Sequence, residues 1–299
     1  MKILLAGATG YLGRHLLAEL IDGGHEVRAL ARSPERLTQP GPRDAPIIEA
    51  GRCQTVAADV TKPKTLDGVT EGMDAVVSTV GVTGHGGDPW AVDYRGNLAL
   101  FDEARRTGID RFVYVHVLHG EDIPADLTRA KSAFAEVLRR SGTTSGISFG
   151  PGSEGSNGLV INPTGYFSDM TAYLEMARKH LAMVVDGGHA RVAPIHGADL
   201  AAFIRRHLEA GTTGDLDVGG PETMTHREVA RLAFDVLGRR PRLVSVPSGL
   251  LRAGVVPVRV LNPARAGTLS FLLAGLTQDA VAPATGTHRL REHFKTCLS

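Results

Sequence analysis

Apolar residues follow two alternating rhythms along the first half of the chain. Short, nearly unbroken apolar runs lie at Ile3 to Ala6, Glu26 to Ala31, Cys53 to Ala58, Ala75 to Val80 and Arg111 to Val117. Runs of this length, bounded by turn residues, predict buried strands. Between them apolar positions recur at helical spacing, over Leu12 to Asp22, Pro63 to Thr70 and Val92 to Thr107. Strands separated by helices imply βαβ units with parallel pairing and right-handed crossovers. The pattern therefore predicts an α/β fold on a doubly wound parallel sheet over residues 1–160, with sheet-completing returns from 160–220. Residues 161–299 read as a smaller, mostly helical C-terminal portion that binds substrate.

The stretch Lys2 to Gly13, KILLAGATGYLG, brings in chemistry. Glycine makes up 36 of the 299 residues, so three glycines alone say little; their position between strand and helix gives them weight. In such a Rossmann-type unit Gly7 permits the tight turn, Gly10 lets the backbone approach a pyrophosphate, and Gly13 lets helix and strand pack. The helix N-terminus adds free N–H groups and the positive end of its dipole. Because ligands lie at the carboxyl ends of the strands, contacts are also expected from Thr9, Tyr11 and Leu12, from Asp59 and Val60, and from Thr79, Val80 and Gly81. After the second strand, RALARSPERL carries Arg32 and Arg36 and no acidic residue at the strand end. An acid there would accept from the ribose 2′-hydroxyl of NAD, whereas arginine suits the 2′-phosphate of NADP. NADPH is the expected cofactor, with NADH possible; the alternative for Arg28, Arg32 and Arg36 is a solvated basic face.

Composition narrows the partners. With 33 basic and 32 acidic residues the net charge is +1, which gives no electrostatic case for nucleic acid or an anionic membrane. Cys53 and Cys297 are far apart and lack metal-ligand neighbours, which suits a reduced, cytoplasmic protein. The chain opens directly on a strand, without a secretory pattern, and apolar stretches such as Leu269 to Leu276 are too short to span a bilayer. The expected partner is a small hydrophobic substrate; the oligomeric state stays open. Between Gly142 and Leu159 a run rich in Gly, Ser and Thr predicts a surface loop, either a lid or a remote insertion.

An ordered series of segments resembles the atypical branch of the short-chain dehydrogenase/reductases, close to the NmrA-like and extended epimerase-type proteins. The series is GATGYLG at 7–13, VDYRGNLALFDEARRTGIDRFVYV at 92–115, AKSAFAEVLRRSG at 130–142, NPTGYFSDM at 162–170, PIHGADLAAFI at 194–204 and VGGPETMTHREVARLAFDVLG at 218–238. The resemblance implies a nicotinamide cofactor held also by Lys131 and Pro163. Two positions depart from it. The tyrosine that family members place four residues before the lysine, as proton donor to a carbonyl, is Leu127 here. Where serine is common after the fifth strand, the chain has His116, Val117, Leu118 and His119.

Loss of the phenol removes general-acid help, typically worth 10²- to 10⁴-fold, but not the hydride. The expectation is an NADPH-dependent ketoreductase whose proton comes from substrate, water or a histidine. Lys131 and His116 are the candidate catalytic residues; for His116 the competing role is a buried neutral histidine bonded to backbone. The missing tyrosine beside an intact lysine is similar to angucyclinone ketoreductases of simocyclinone-type antibiotic biosynthesis, which implies an aromatic polyketide ketone as substrate. Leu250, Leu251, Val255, Phe271 and Leu272, with Met170, Tyr173, Met176 and Met183, are candidates for an apolar cleft or simply for core. The alternative function is a non-catalytic NADP(H) sensor of the NmrA-like kind.

Overall fold

The structure is a computed structural model that describes residues 1–82, 87–141, 157–261 and 263–298. Its first strand, β1 (Lys2–Ala6), is wholly buried from Ile3 onward, as an apolar run in the middle of a parallel sheet must be. It leads through the glycine turn into α1 (Tyr11–Asp22) and β2 (Glu26–Ala31). There follow β3 (Gln54–Ala57), β4 (Ala75–Ser78), α2 (Asn97–Arg106), β5 (Arg111–Val115), α3 (Asp126–Ser141) and β6 (Asn157–Pro163). Beyond lie α4 (Phe167–Arg178), β7 (Ala182–Val185), β8 (Arg191–Val192), α5 (Gly197–Glu209), β9 (Gly214–Val218) and β10 (Met224–Thr225). The chain continues with α6 (His226–Val236), β11 (Leu243–Val246), α7 (Ser248–Leu261), α8 (Pro263–Thr277) and α9 (Leu290–Thr296).

Seven strands form one sheet in the order β3-β2-β1-β4-β5-β6-β9, every pair parallel. This is the Rossmann-type α/β arrangement. Its order reverses between β1 and β4, the switch point beside which ligands bind. One face buries Ile3, Leu5, Leu16 and Leu17 against Leu200 and Ile204 of α5. The other packs Leu4, Val76, Phe112 and Tyr114 against Leu100 and Phe101 of α2 and Phe134 of α3. A third cluster joins Phe167, Met170 and Tyr173 to Phe234 and Phe294.

The structure departs from the helices expected of the sequence pattern at two places. The helix expected at Pro63 to Thr70 is a 3₁₀ turn over Pro63–Leu66. The helix expected from Val92 opens instead as a π-helical segment, Trp90–Gly96. There the carbonyl of Asp93 accepts from the side-chain amide of Asn97 at 2.9 Å, and Ser78 Oγ holds Asn97 Oδ1 at 2.5 Å, so the wide turn is tied to the end of β4. In the C-terminal portion Leu250, Leu251, Leu272 and Met183 are exposed, while Met170 and Tyr173 are core. The expected loop between Gly142 and Leu159 lies mostly outside the described residues, apart from Asn157 to Leu159, which belong to β6. Among the described residues no helix is long and apolar enough to cross a membrane.

Candidate cofactor and active site

The glycine turn is built as its spacing requires. Gly7 has φ +83°, and a Cβ there would stand 2.6 Å from Thr79 Oγ1, so both backbone and space exclude a side chain. At Gly13 a Cβ would stand 2.1 Å from the Gly7 carbonyl, which is the close helix–strand packing of the third glycine. Gly10 differs: its nearest neighbour to a Cβ is the Gly7 oxygen at 3.4 Å, so no internal contact demands glycine and the surface is left open. Gly10 is also the N-cap of α1, where no side chain caps the helix and no acidic residue stands in the first turn. The helix N-terminus is thus available to a phosphate. Tyr11 turns its side chain away, accepting from the Gly197 N–H at 3.2 Å and packing edge-on to Tyr166.

At the end of β2, Thr9, Arg32, Ser33 and Arg36 line a polar pocket of about 390 Å³. Arg28 points elsewhere, to the carbonyls of Val69 and Glu71. Arg14 pins the pocket wall. It is 2% exposed and donates to the carbonyls of Thr9, Leu37, Gln39 and Pro46 at 2.9–3.3 Å, as well as to that of Arg36. Asp59 accepts from Thr61, and that bond, with Arg32 nearby, holds its carboxyl below the ordinary range. Val60 is buried against Gly96. Arginines facing a polar hollow beside the turn fit the 2′-phosphate of NADP.

Across the switch point stands Lys131 on α3. Its ammonium lies 3.0 Å from Asp93 Oδ1 and 5.4 Å from the Tyr114 ring centroid. Burial alone would lower the Lys131 pKa, but Tyr114 and Asp93 outweigh it and raise it. Asp93 is wholly buried and its Oδ2 accepts from the Val82 N–H at 2.9 Å. Gly81 presses on the pair: a Cβ there would be 2.8 Å from both Asp93 Oδ1 and Lys131 Nζ. Thr79 donates to the Ala6 carbonyl at 3.0 Å, Val80 follows it, and Pro163 ends β6. Leu127 is half-buried one turn before Lys131.

His116 does not suit the role of acid. It is 4% exposed; Nδ1 meets the Val117 carbonyl at 2.8 Å and Nε2 meets Ser132 Oγ at 3.1 Å. Burial, with Lys131 close by, pushes its pKa down to about 4. A neutral ring with its N–H given to a carbonyl has no proton to offer a substrate. Three residues were not singled out from the sequence: Asp93, Tyr114 and Tyr166. Tyr166 follows Pro163 at the strand ends, and its phenol is held protonated by burial and by Asp169 while Lys131 acts in the opposite sense. Burial likewise pushes Tyr114 up to about 12. The signals available were an acid inside an otherwise apolar helix start and the tyrosine of NPTGYF.

Comparison with known proteins agrees with this geometry. Residues 7–145 match the NAD(P)H-binding family model. Divinyl chlorophyllide a 8-vinyl-reductase of Zea mays is 31% identical over 260 residues, covering 84% of this chain; the chain spans only 63% of that protein's length. Photosystem II assembly factor Ycf39 of Synechocystis is 24% identical over 259 residues, 84% of this chain and 72% of that protein. Among solved structures, the Escherichia coli NADPH-dependent quinone oxidoreductase QOR2 complexed with NADPH superposes with TM-score 0.76 at 17% identity, covering 99% of this chain and 100% of that one. The Thermus thermophilus UDP-glucose 4-epimerase complex with NAD gives 0.62 at 16%, over 83% and 86%. None of these relatives lends support to an aromatic polyketide substrate or to antibiotic biosynthesis. Residues 7–145 thus form an NAD(P)H-binding domain, on the Rossmann-type fold shared with structures that hold NADPH or NAD.

Proposed function

We propose that the protein is an NADPH-dependent reductase that acts, in the cytoplasm, on a bulky, largely apolar and conjugated acceptor. One observation carries the reading: the largely buried Lys131 ammonium of α3 stands beside Asp93 and the Tyr114 ring of β5, across the switch point from the glycine turn. NADPH, when bound, supplies the hydride; the chain must hold the nicotinamide ribose, exclude water and provide or relay a proton. Lys131 has N–H donors beyond the one facing Asp93 for the ribose hydroxyls. Gly7, Thr9, Gly10, Leu12 and Gly13 hold the pyrophosphate, Arg32 the 2′-phosphate, and Asp59, Val60, Thr79, Val80, Gly81 and Pro163 line the bound dinucleotide. With Leu127 in place of the acid, the proton comes from Tyr166, from water or from the substrate itself.

An extended conjugated acceptor fits this deficit. Charge arriving with the hydride spreads through the ring system, so less depends on a strong acid at one oxygen. The large conjugated substrate named for the Zea mays relative and an aromatic ketone both meet that description. The second reading, a non-catalytic NADP(H)-binding regulator, is favoured by Leu127 and by the likeness to assembly factors. Purified protein with NADPH should consume the cofactor, followed at the nicotinamide absorbance, with at least one of divinyl chlorophyllide, a quinone or an aromatic polyketide ketone. Tight NADPH binding without turnover of any of the three would establish the regulator instead.

A further inference from the structure

The reductase chemistry makes no use of a histidine cluster beneath the glycine turn. His15 lies on α1, Asp44 on the connection between β2 and β3, His196 caps α5 and His293 lies on α9. Asp44 Oδ2 is bonded to His196 Nε2 at 2.8 Å and approached by His293 Nδ1 at 3.3 Å. Its other oxygen, Oδ1, is buried with no partner among the described residues, and so is His15 Nε2. The His15 side chain belongs to a residue only 8% exposed, and its ring stands edge-on to that of His196 with centroids 5.3 Å apart. One donor atom each from His15, Asp44 and His196 lie within 4.8 Å of one another.

Two buried polar atoms left without a partner, in a group whose ligand atoms lie within 4.8 Å of one another, require an occupant. A water could donate to both His15 Nε2 and Asp44 Oδ1. A cation does more, because it also offsets the charge of the half-buried Asp44 carboxylate. Two imidazole nitrogens with one carboxylate oxygen are the donor set of zinc rather than of calcium or magnesium.

We propose that His15 Nε2, Asp44 Oδ1 and His196 Nε2 form a zinc-class divalent cation site, with His293 positioning Asp44 from the second carboxylate oxygen. The donor atoms draw in to bonds of about 2.0–2.2 Å. One rearrangement follows from the protonation. His196 Nδ1 accepts from the Ala198 N–H at 3.2 Å, and a neutral ring that binds metal through Nε2 carries its proton on Nδ1. The Ala198 contact is therefore released when the ion binds, and the ion replaces the His196 Nε2 proton that bonds Asp44 Oδ2. The ion ties the cofactor-turn helix to the start of α5 and, through Asp44, to α9.

The test uses the full chain, stripped with a chelator and titrated with Zn²⁺ by calorimetry and with Co²⁺ by visible absorption. Expected are one ion per chain, an intense four-coordinate Co²⁺ spectrum and a shift of the Ala198 amide resonance. His15→Gln should weaken binding by more than the roughly 10- to 100-fold that loss of a ligand's own partner costs, and His293→Gln by about that range. NADPH binding by each variant verifies its fold. Absence of saturable one-to-one binding, or affinity left unchanged by His15→Gln, overturns the proposal. If His15→Gln fails to fold, the unaltered protein decides: a weak six-coordinate Co²⁺ spectrum or an unmoved Ala198 amide overturns it equally.

Discussion

Lys131→Met keeps the length of the side chain and removes its charge, so it isolates what the ion pair contributes. Asp93, fully buried, would lose a partner 3.0 Å away and keep the Val82 N–H at 2.9 Å. Breaking a buried pair from one side costs about 3–5 kcal/mol. The Lys131 side chain retains 14% exposure, which places the expected loss at the lower end, about 3 kcal/mol. Adding Asp93→Asn leaves an amide that still accepts from Val82 and buries no charge, so the double variant should recover roughly 1–2 kcal/mol, within the usual range for groups in contact. The assay is urea unfolding at neutral pH without NADPH, comparing midpoints at equal slope. A loss under about 1 kcal/mol for Lys131→Met, with strict additivity in the double variant, would refute the reasoning. NADPH affinity supplies a separate readout: it should stay weakened in the double variant although stability returns, because the ribose contact is still missing.

Other outcomes follow from the same geometry. Arg32→Ala should weaken NADPH binding by roughly 10- to 100-fold, the worth of a charge-assisted bond, and leave NADH affinity unchanged; equal effects on both by fluorescence titration would remove Arg32 as the phosphate ligand. Gly13→Ala places a methyl 2.1 Å from the Gly7 carbonyl and should cost about 1–3 kcal/mol together with cofactor binding, read by thermal melts with and without NADPH. His116 has a pKa lowered from the ordinary 6.5 to about 4, a gap worth about 3 kcal/mol. Since the folded state binds the proton more weakly, that stability is present above pH 6.5 and is lost as pH falls through 4. His116→Asn should flatten stability against pH across this window, and an unaltered slope would show that the ring titrates normally.

The sheet was legible because its strands are apolar runs punctuated by helical periodicity, and β2 matches its expected bounds, Glu26–Ala31. The dinucleotide turn was legible because steric demand fixes glycine at Gly7 and Gly13. What local pattern could not carry was tertiary. The π-helical opening at Trp90–Gly96 depends on Ser78 reaching Asn97 across 19 positions of chain. Arg14 reads as an ordinary helix residue until five carbonyls converge on it. The cluster around Asp44 draws on α1, a loop, α5 and α9, and no sequence window contains it. For the apolar α7 and α8 segment, apolarity alone does not say which face meets the protein.

Leu127 and the Lys131 environment belong to one change rather than two. In the short-chain dehydrogenase/reductases that the chain resembles, the lysine lowers the pKa of a neighbouring phenol on the same helix; here Tyr114, and Asp93 at 3.0 Å from its ammonium, raise the Lys131 pKa. A lysine so paired is a fixed cation, suited to holding ribose hydroxyls and unsuited to passing protons. Besides the fully buried Tyr114, a second phenol at the strand ends, Tyr166, is held protonated by burial. It can release its proton only to a site where considerable negative charge has already developed. An acceptor that localises charge on one alkoxide oxygen would draw on Tyr166, whereas one that delocalises charge over a conjugated system would leave it a spectator. Tyr166→Phe therefore discriminates: a fall in kcat of about 10²-fold or more with KM unchanged marks a localised acceptor, and unchanged kcat marks a delocalised one.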